Sequence, residues 1–342
     1  MKSPTALLAF TLGAASLVLP AFQTSAADKP LIGLSLDTLK EERWQGDRDM
    51  FVKKVSDLGG EVLVQSANSD DVRQIKDCEA LIGRGVKVLV IVAHNADVMS
   101  KAVNMAHDAK IPVIAYDRLI KGAPVDIYLS FDNVKVGEVQ GDYLKEHMPA
   151  SGKLRLVRIY GAKTDNNALL FKQGQDNVIL PLVKEGKVEI VREDYADDWK
   201  PENAKRIMNA AITQAGHNID AVLASNDGTA GGAIQALSEE GLAGKVAVTG
   251  QDAEVAACQR IVNGTQSMTI YKPLKKLADK AGEVAMDLAK GKKPDAPSTI
   301  NNGTTDVPSI LLEVTTVTKD NMKATVIADN FHTEKQVYGN KK

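Results

Sequence analysis

From residue 31 onward the chain alternates short apolar runs with longer amphipathic stretches, and this alternation narrows its fold more than any other feature. LIGLSL (31–36), EVLVQS (61–66), KVLVIVA (87–93), IPVIAYD (111–117) and IYLSF (127–131) read as strands. Helical patterns lie between them, the clearest over 41–59, EERWQGDRDMFVKKVSDLG. There Trp44, Phe51, Val52, Val55 and Leu58 recur at helical spacing, and Gly59–Gly60 ends the run. Further helices are expected near 70–84 and over 96–109.

The pattern restarts with a helix over 133–147. Strands LRLVRIY (154–160), KVEIVRE (187–193), IDAVLASND (219–227) and KVAVTGQD (245–252) follow, separated by helices over 166–184, 201–215 and 229–240. SMTIYK (267–272), a helix over 274–290 and VPSILLEVTTV (307–317) complete the series. Near-continuous Val/Ile/Leu strands alternating with helices predict an α/β protein whose parallel sheets are covered on both faces. Two such series predict two doubly wound, Rossmann-like lobes of similar size. Short connections near 130–134, 271–275 and 303–307 predict that the chain crosses between lobes more than once. The expected division is 28–132 with 273–304 for the N-terminal lobe, and 133–272 with 305–342 for the C-terminal lobe.

The 342 residues suffice for two domains, and net charge is −2 without segregation into blocks. No basic arm or Lys/Arg block is present, which argues against nucleic acid as a partner. Residues 1–27 stand apart: Lys2 is their only charge, ALLAFTLGAASLVLPAF follows, and small residues close the segment. That is the pattern of a secretion signal cleaved after Ala26 or Ala27, and it predicts an exported, periplasmic protein. Gly13 and Pro20 interrupt the stretch, which is short for a membrane anchor. The two cysteines, Cys78 and Cys258, fall in helical segments far apart in sequence and are expected to be free thiols.

In open parallel sheets, ligands bind at the carboxyl ends of strands. The residues at those ends here are Arg43 and Trp44, Asp117 and Arg118, Asp165 with Asn167, Asn226, Asp252 and Lys272; Trp199 precedes the helix over 201–215. Singly, each has a plain structural explanation as a helix cap, a surface ion pair or a packed aromatic ring. Together they gather both Trp residues and two Arg on strand ends of both lobes. Flat hydrogen-bonding groups suit the hydroxyl rim of a pyranose, an Arg fork takes two oxygens, and indole rings cover the C–H faces. Trp44 and Trp199, one from each lobe, are expected to sandwich the ring.

Other motifs point elsewhere only weakly. GTAGGA (228–233) is glycine-rich but is neither a dinucleotide fingerprint nor a P-loop, and its glycines are expected to serve close helix–sheet packing. The five His are scattered without metal-ligand spacing, and no cofactor motif is found.

The stretches ERWQGDRDMFVKK, AYDRLI, FDNVKVGE, DNNA, SNDGTAGGAIQALS, GKVAVTGQDA and GTQSMTIYKP resemble the bacterial periplasmic sugar-binding proteins of the ribose/galactose type, across essentially the whole chain after residue 27. The resemblance implies two lobes joined by a three-strand hinge that close on one monosaccharide. D-xylose is expected ahead of arabinose, ribose, galactose or glucose. Arg43, Asp117 and Arg118 would hold hydroxyls from the first lobe; Asp165, Asn167, Asn226 and Asp252 would do so from the second. Lys272 would lie on the hinge side, with Trp44 and Trp199 stacking. Implied partners are the membrane permease subunits of an ABC importer and, as a further candidate, a chemoreceptor, with the protein a monomer. YGAKTDNN (160–167) departs from the family's usual Gly-Gly-Ser loop and bears on the pocket rim.

Two other classes fit the sequence less well. An enzyme acting on sugars through paired carboxylates would use Asp117, Asp165 or Asp252, but Arg118 beside Asp117 favours a permanently ionised group. A sugar-responsive repressor would need an N-terminal DNA-binding segment in place of the secretion pattern.

Overall fold

The computed structural model describes Met1 and residues 29–339; apart from Met1, the secretion pattern of 1–27 lies outside the described residues. The first series folds as β1 (Leu31–Leu36), α1 (Glu42–Asp57), β2 (Glu61–Ser66), α2 (Asp71–Gly83), β3 (Val88–Val92), α3 (Ser100–Asp108), β4 (Val113–Tyr116) and β5 (Ile127–Phe131). The second comprises α4 (Asn133–Glu146), β6 (Leu154–Tyr160), α5 (Asn166–Lys184), β7 (Val188–Tyr195), α6 (Pro201–Ala215), β8 (Ala221–Ala224), α7 (Asp227–Glu239), β9 (Ala247–Val248), α8 (Val255–Asn263) and β10 (Thr269–Tyr271). The chain then returns through α9 (Leu274–Ala289), β11 (Ser298–Asn301) and β12 (Asp306–Leu312), and ends with β13 (Thr315–Val317) and α10 (Glu334–Tyr338).

Two sheets carry these elements. The first runs β11-β12-β5-β4-β3-β1-β2 and the second β7-β6-β8-β9, while β10 and β13 form a separate pair. The β2–β1–β3–β4–β5–β12 pairings are all parallel; β11 adds an antiparallel edge. The strand pattern explains the layering. Val88, Val90 and Val92 face one core with Trp44, Phe51 and Val55 of α1 and Leu277 and Ala281 of α9. Leu89 and Ile91 face the opposite core with Leu81 of α2 and Val103 of α3. Successive side chains on a strand point to opposite faces, so an unbroken apolar run fills both cores. The second sheet repeats this: Val157 and Ile159 pack with α6 and α7, and Leu154 and Leu156 with α4 and α5.

The structure revises three expectations. The apolar run over 307–317 is two strands: Val307 and Ile310 are buried in the two cores of the first sheet, whereas Val317 is buried with Tyr271 and Met322 and pairs with β10. The chain therefore remains in that sheet until Leu312, where β12 pairs with β5, rather than leaving it at residue 304. The run over 245–252 keeps only Ala247–Val248 in the ladder, and beyond it Gly250 and Asp252 exchange backbone bonds with Ile270 instead, Asp252 with φ 99°. The GTAGGA glycines serve helix–helix contact as well: a Cβ on Gly232 would stand 2.1 Å from the Pro201 carbonyl oxygen at the start of α6.

The chain passes between the two lobes at β5–α4, at β10–α9 and at β12–β13, the β10–β13 pair being tied to the second lobe where Ile270 N donates to the Gly250 carbonyl and Asp252 N to the Ile270 carbonyl. Cys78 and Cys258 are buried and unpaired. No described helix is long and apolar enough to cross a membrane.

Candidate functional site

The carboxyl ends of the strands of both sheets face one cavity, and all ten residues singled out from the sequence line it: Arg43, Trp44, Asp117, Arg118, Asp165, Asn167, Trp199, Asn226, Asp252 and Lys272. The cavity encloses about 320 Å³ of space outside protein atoms, mouth included. Only about 30 Å³ of it is open to the centre of a water-sized sphere, so the side chains of the two lobes nearly fill the cavity.

Asp117 follows β4 with a left-handed φ of 62°. A non-glycine residue holds that conformation only when its surroundings impose it. Here the Asp117 carbonyl accepts from Ser130 Oγ at 2.6 Å, Tyr128 OH at 3.1 Å and Asn167 Nδ2 at 3.1 Å. The strand end is thereby fixed so that Asp117 and Arg118 diverge towards different partners. Asp117 Oδ2 accepts from Arg43 Nη2 at 2.8 Å, and its Oδ1 from Asn167 Nδ2 at 3.0 Å. Arg118 Nη1 donates to Asp37 Oδ2 at 2.7 Å and to the Ala93 carbonyl at 3.0 Å, while its Nε lies 2.9 Å from Asp165 Oδ2.

Arg43, in the first turn of α1, spreads its fork over three carboxylates. Its Nε meets Asp47 Oδ2 at 3.2 Å, Nη2 meets Asp117 Oδ2 at 2.8 Å, and Nη1 meets Asp252 Oδ1 at 3.4 Å. Burial alone would lower the Arg43 pKa, but Asp117, Asp47 and Asp252 together hold it well above the ordinary guanidinium value. For Asp117, burial pulls upward, and Arg43 and Lys272 outweigh it, so its carboxyl titrates below the usual range. Burial raises the Asp165 pKa against the opposing pull of Arg118 and the Asn167 N–H.

Asp165 is a helix cap that also holds the indole of Trp199. Its Oδ1 caps α5 by accepting from Asn167 N at 2.9 Å, and its Oδ2 accepts from Trp199 Nε1 at 3.1 Å. Asn226 likewise caps α7, with its Oδ1 accepting from Thr229 N at 2.9 Å. Lys272 follows β10 at a crossing between the lobes; its Nζ lies 3.4 Å from Asp252 Oδ1 and near the faces of Phe131 and Phe171.

The two indoles enter from different lobes. Trp44 packs beneath both guanidinium groups, with Arg43 Cζ 4.1 Å and Arg118 Cζ 5.1 Å from its ring centre. Trp199 has a left-handed backbone, meets Phe171 edge-on, and lies against Gly161 so closely that a Cβ there would fall 2.0 Å from the ring.

Three further residues complete the lining: Glu41, Phe171 and Gln251. Phe171 lies four residues after Asn167 on α5, the spacing that places two side chains on one helix face, and this signal was available in DNNALLF. Gln251 adjoins Asp252, and Glu41 stands two residues before Arg43. The lining thus holds three cations and four carboxylates. Asp37 and Asp47 stand behind it on Arg118 and Arg43. Such a cavity favours neutral, hydroxyl-rich molecules over anions. Among the described residues, no group of three or more His, Cys, Asp or Glu is placed to hold a metal ion.

Comparison with known proteins identifies the family. Residues 32–293 match the family described as the periplasmic binding protein domain. The chain is 50% identical over 321 residues to the D-xylose-binding periplasmic protein of Haemophilus influenzae, covering 94% of this chain and 96% of that protein. It is 51% identical over 306 residues to the protein of the same name from Escherichia coli, covering 90% and 92%. Among solved structures, an ABC transporter solute-binding protein from Clostridium phytofermentans with bound β-D-glucose superposes with a TM-score of 0.83 at 33% identity, covering 90% of this chain and 99% of that one. With helices on both faces of two parallel sheets, a shared strand-end cavity and these matches, the chain belongs to the periplasmic binding protein family.

Proposed function

We propose that this protein captures one molecule of D-xylose by closure of its two lobes and delivers it to the permease subunits of an ABC importer. The observation that carries the reading is the convergence of ten polar and aromatic residues, drawn from both lobes, on one cavity. Arg43, Asp117 and Arg118 bind hydroxyls from the first lobe, and Asp165, Asn167, Asn226 and Asp252 from the second. Lys272 closes the hinge side, and Trp44 and Trp199 cover the ring faces. A hydroxyl missing from the ligand leaves a buried partner unpaired, at roughly 1–3 kcal/mol each, which is the source of selectivity. The half-identical relatives named for D-xylose support the choice of sugar.

The three crossings between the lobes act as the hinge, with residues 29–132 and 273–312 moving against 133–272 and 313–339. Contacts made by both lobes at once favour the closed form when sugar binds. Residues 1–27 direct export to the periplasm, where the protein works as a monomer, and a chemoreceptor is a second listener for the closed form. The chain is a binding protein and not an enzyme, in keeping with its family and its relatives.

A second reading, a hexose such as glucose, is favoured by the glucose-bound solved structures of Clostridium phytofermentans and Chloroflexus aurantiacus. Thermal-shift measurements across pentoses and hexoses decide between them, because a ligand that binds the native state raises the melting temperature. The largest shift is expected with D-xylose; a larger one with glucose or arabinose would reassign the sugar.

A further inference from the structure

Glu41 was not singled out by the sequence, yet its position in the cavity is unusual. It is the N-cap residue of α1, with extended φ −75° and ψ 140°, and its side chain makes no capping hydrogen bond. A carboxylate at that position ordinarily accepts from the first free N–H groups of its helix. Instead Glu41 turns into the cavity wall with its side chain 10% exposed. Lys40 Nζ holds Oε1 at 3.0 Å and donates to the Asp198 carbonyl of the opposite lobe at 2.7 Å. The other oxygen, Oε2, is buried and has no hydrogen-bond partner. A buried charged acceptor without a donor is costly, and its presence calls for an explanation. Gln251 Oε1 is the other cavity-lining atom in this condition. An amide can exchange its two ends to find a donor, whereas a carboxylate has no donor end to exchange.

We propose that Glu41 is a specificity-determining contact: its Oε2 accepts the hydrogen of one hydroxyl of the bound sugar, and its charge excludes sugars bearing a carboxylate or phosphate. The inference rests on the monosaccharide reading and names one donor within it. Lys40 fixes the carboxylate by occupying Oε1, so that only Oε2 is presented to the ligand. Because Lys40 also reaches Asp198, the contact joins ligand recognition to lobe closure at the rim.

The test is calorimetry of the full mature protein, its Glu41→Leu and its Glu41→Gln variants. The probes are D-xylose and analogues in which each ring hydroxyl in turn is replaced by fluorine, which cannot donate a hydrogen. Melting temperatures without sugar check folding; Glu41→Gln, of nearly the same shape, decides the matter should Glu41→Leu fold poorly. For D-xylose, Glu41→Leu is expected to weaken binding roughly tenfold to a hundredfold, with Glu41→Gln between it and the parent. The fluorine penalty should vanish in Glu41→Leu at one hydroxyl and persist at the others. Unchanged xylose affinity in both variants, with the same fluorine pattern, would overturn the role of Glu41 while leaving sugar binding intact. Failure of the parent protein to bind any sugar of the panel would overturn the monosaccharide reading, and this inference with it.

Discussion

Arg118 Nε stands 2.9 Å from Asp165 Oδ2, and the two residues belong to different sheets, one following β4 and the other preceding α5. The pair spans the cavity and ties the lobes together at the point where the sugar is proposed to sit. Arg43 with Asp252, and Asn167 with Asp117, make the same crossing. Recognition and closure therefore share side chains, and substitutions at these positions should disturb both.

Arg118→Ala tests this sharing. It leaves Asp37 and Asp165 buried without their cation. Removing one member of a buried ion pair costs about 3–5 kcal/mol. D-xylose binding should fall below detection and the melting temperature should drop; Arg118→Lys, which cannot reproduce the fork, should recover little. Retained affinity in Arg118→Ala would remove this residue from the site.

The two Trp residues both line the cavity, so intrinsic fluorescence should change on sugar addition. Trp199→Phe keeps a ring face but deletes the Nε1 donor to Asp165. Binding should weaken by about 1–3 kcal/mol, and the remaining signal then reports Trp44 alone. A titration curve identical to that of the parent would show that Trp199 does not sense the ligand.

Gly161→Ala probes the close approach behind Trp199, where an added methyl carbon meets the indole. The ring must move into the cavity. D-xylose affinity should fall at least tenfold while the protein stays folded by circular dichroism, consistent with an effect confined to the pocket. Unchanged affinity would mean that the ring position is not critical.

Glu254 gives the stability a pH dependence. Burial, with Asp227 and Asp252 nearby, pushes its carboxyl up to about 8. The folded state therefore holds a proton that the unfolded chain releases near the ordinary glutamate value of about 4.3. The associated stability is complete below that value and is lost as pH rises towards 8. Melting temperature should decline by a few degrees between pH 5 and pH 8 and do so less in Glu254→Gln. An equal decline in both proteins would remove Glu254 as the cause.

The sequence disclosed the layers and most of the pocket for one reason: both follow from local patterns. Unbroken apolar strands such as Val88–Val92 announce sheets covered on two faces, and polar residues just past strand ends announce a ligand edge. What remained hidden depends on pairing at long range. The break between β12 and β13 is set by which sheet captures Ile310, and nothing in VPSILLEVTTV marks it. Glu41 reads as one more acidic residue at a helix start until the structure shows that its Oε2 lacks a partner. Asp117 and Arg118 read as one pair, yet their separate partnerships across the cavity appear only when the two sheets are brought together.

Isothermal titration of the mature protein with D-xylose is the most direct test of the central claim. Heat fitting one site per chain with a dissociation constant at or below about a micromolar, a free energy near −8 kcal/mol, is the predicted result. No measurable heat at high protein concentration, together with no change in tryptophan emission, would contradict it.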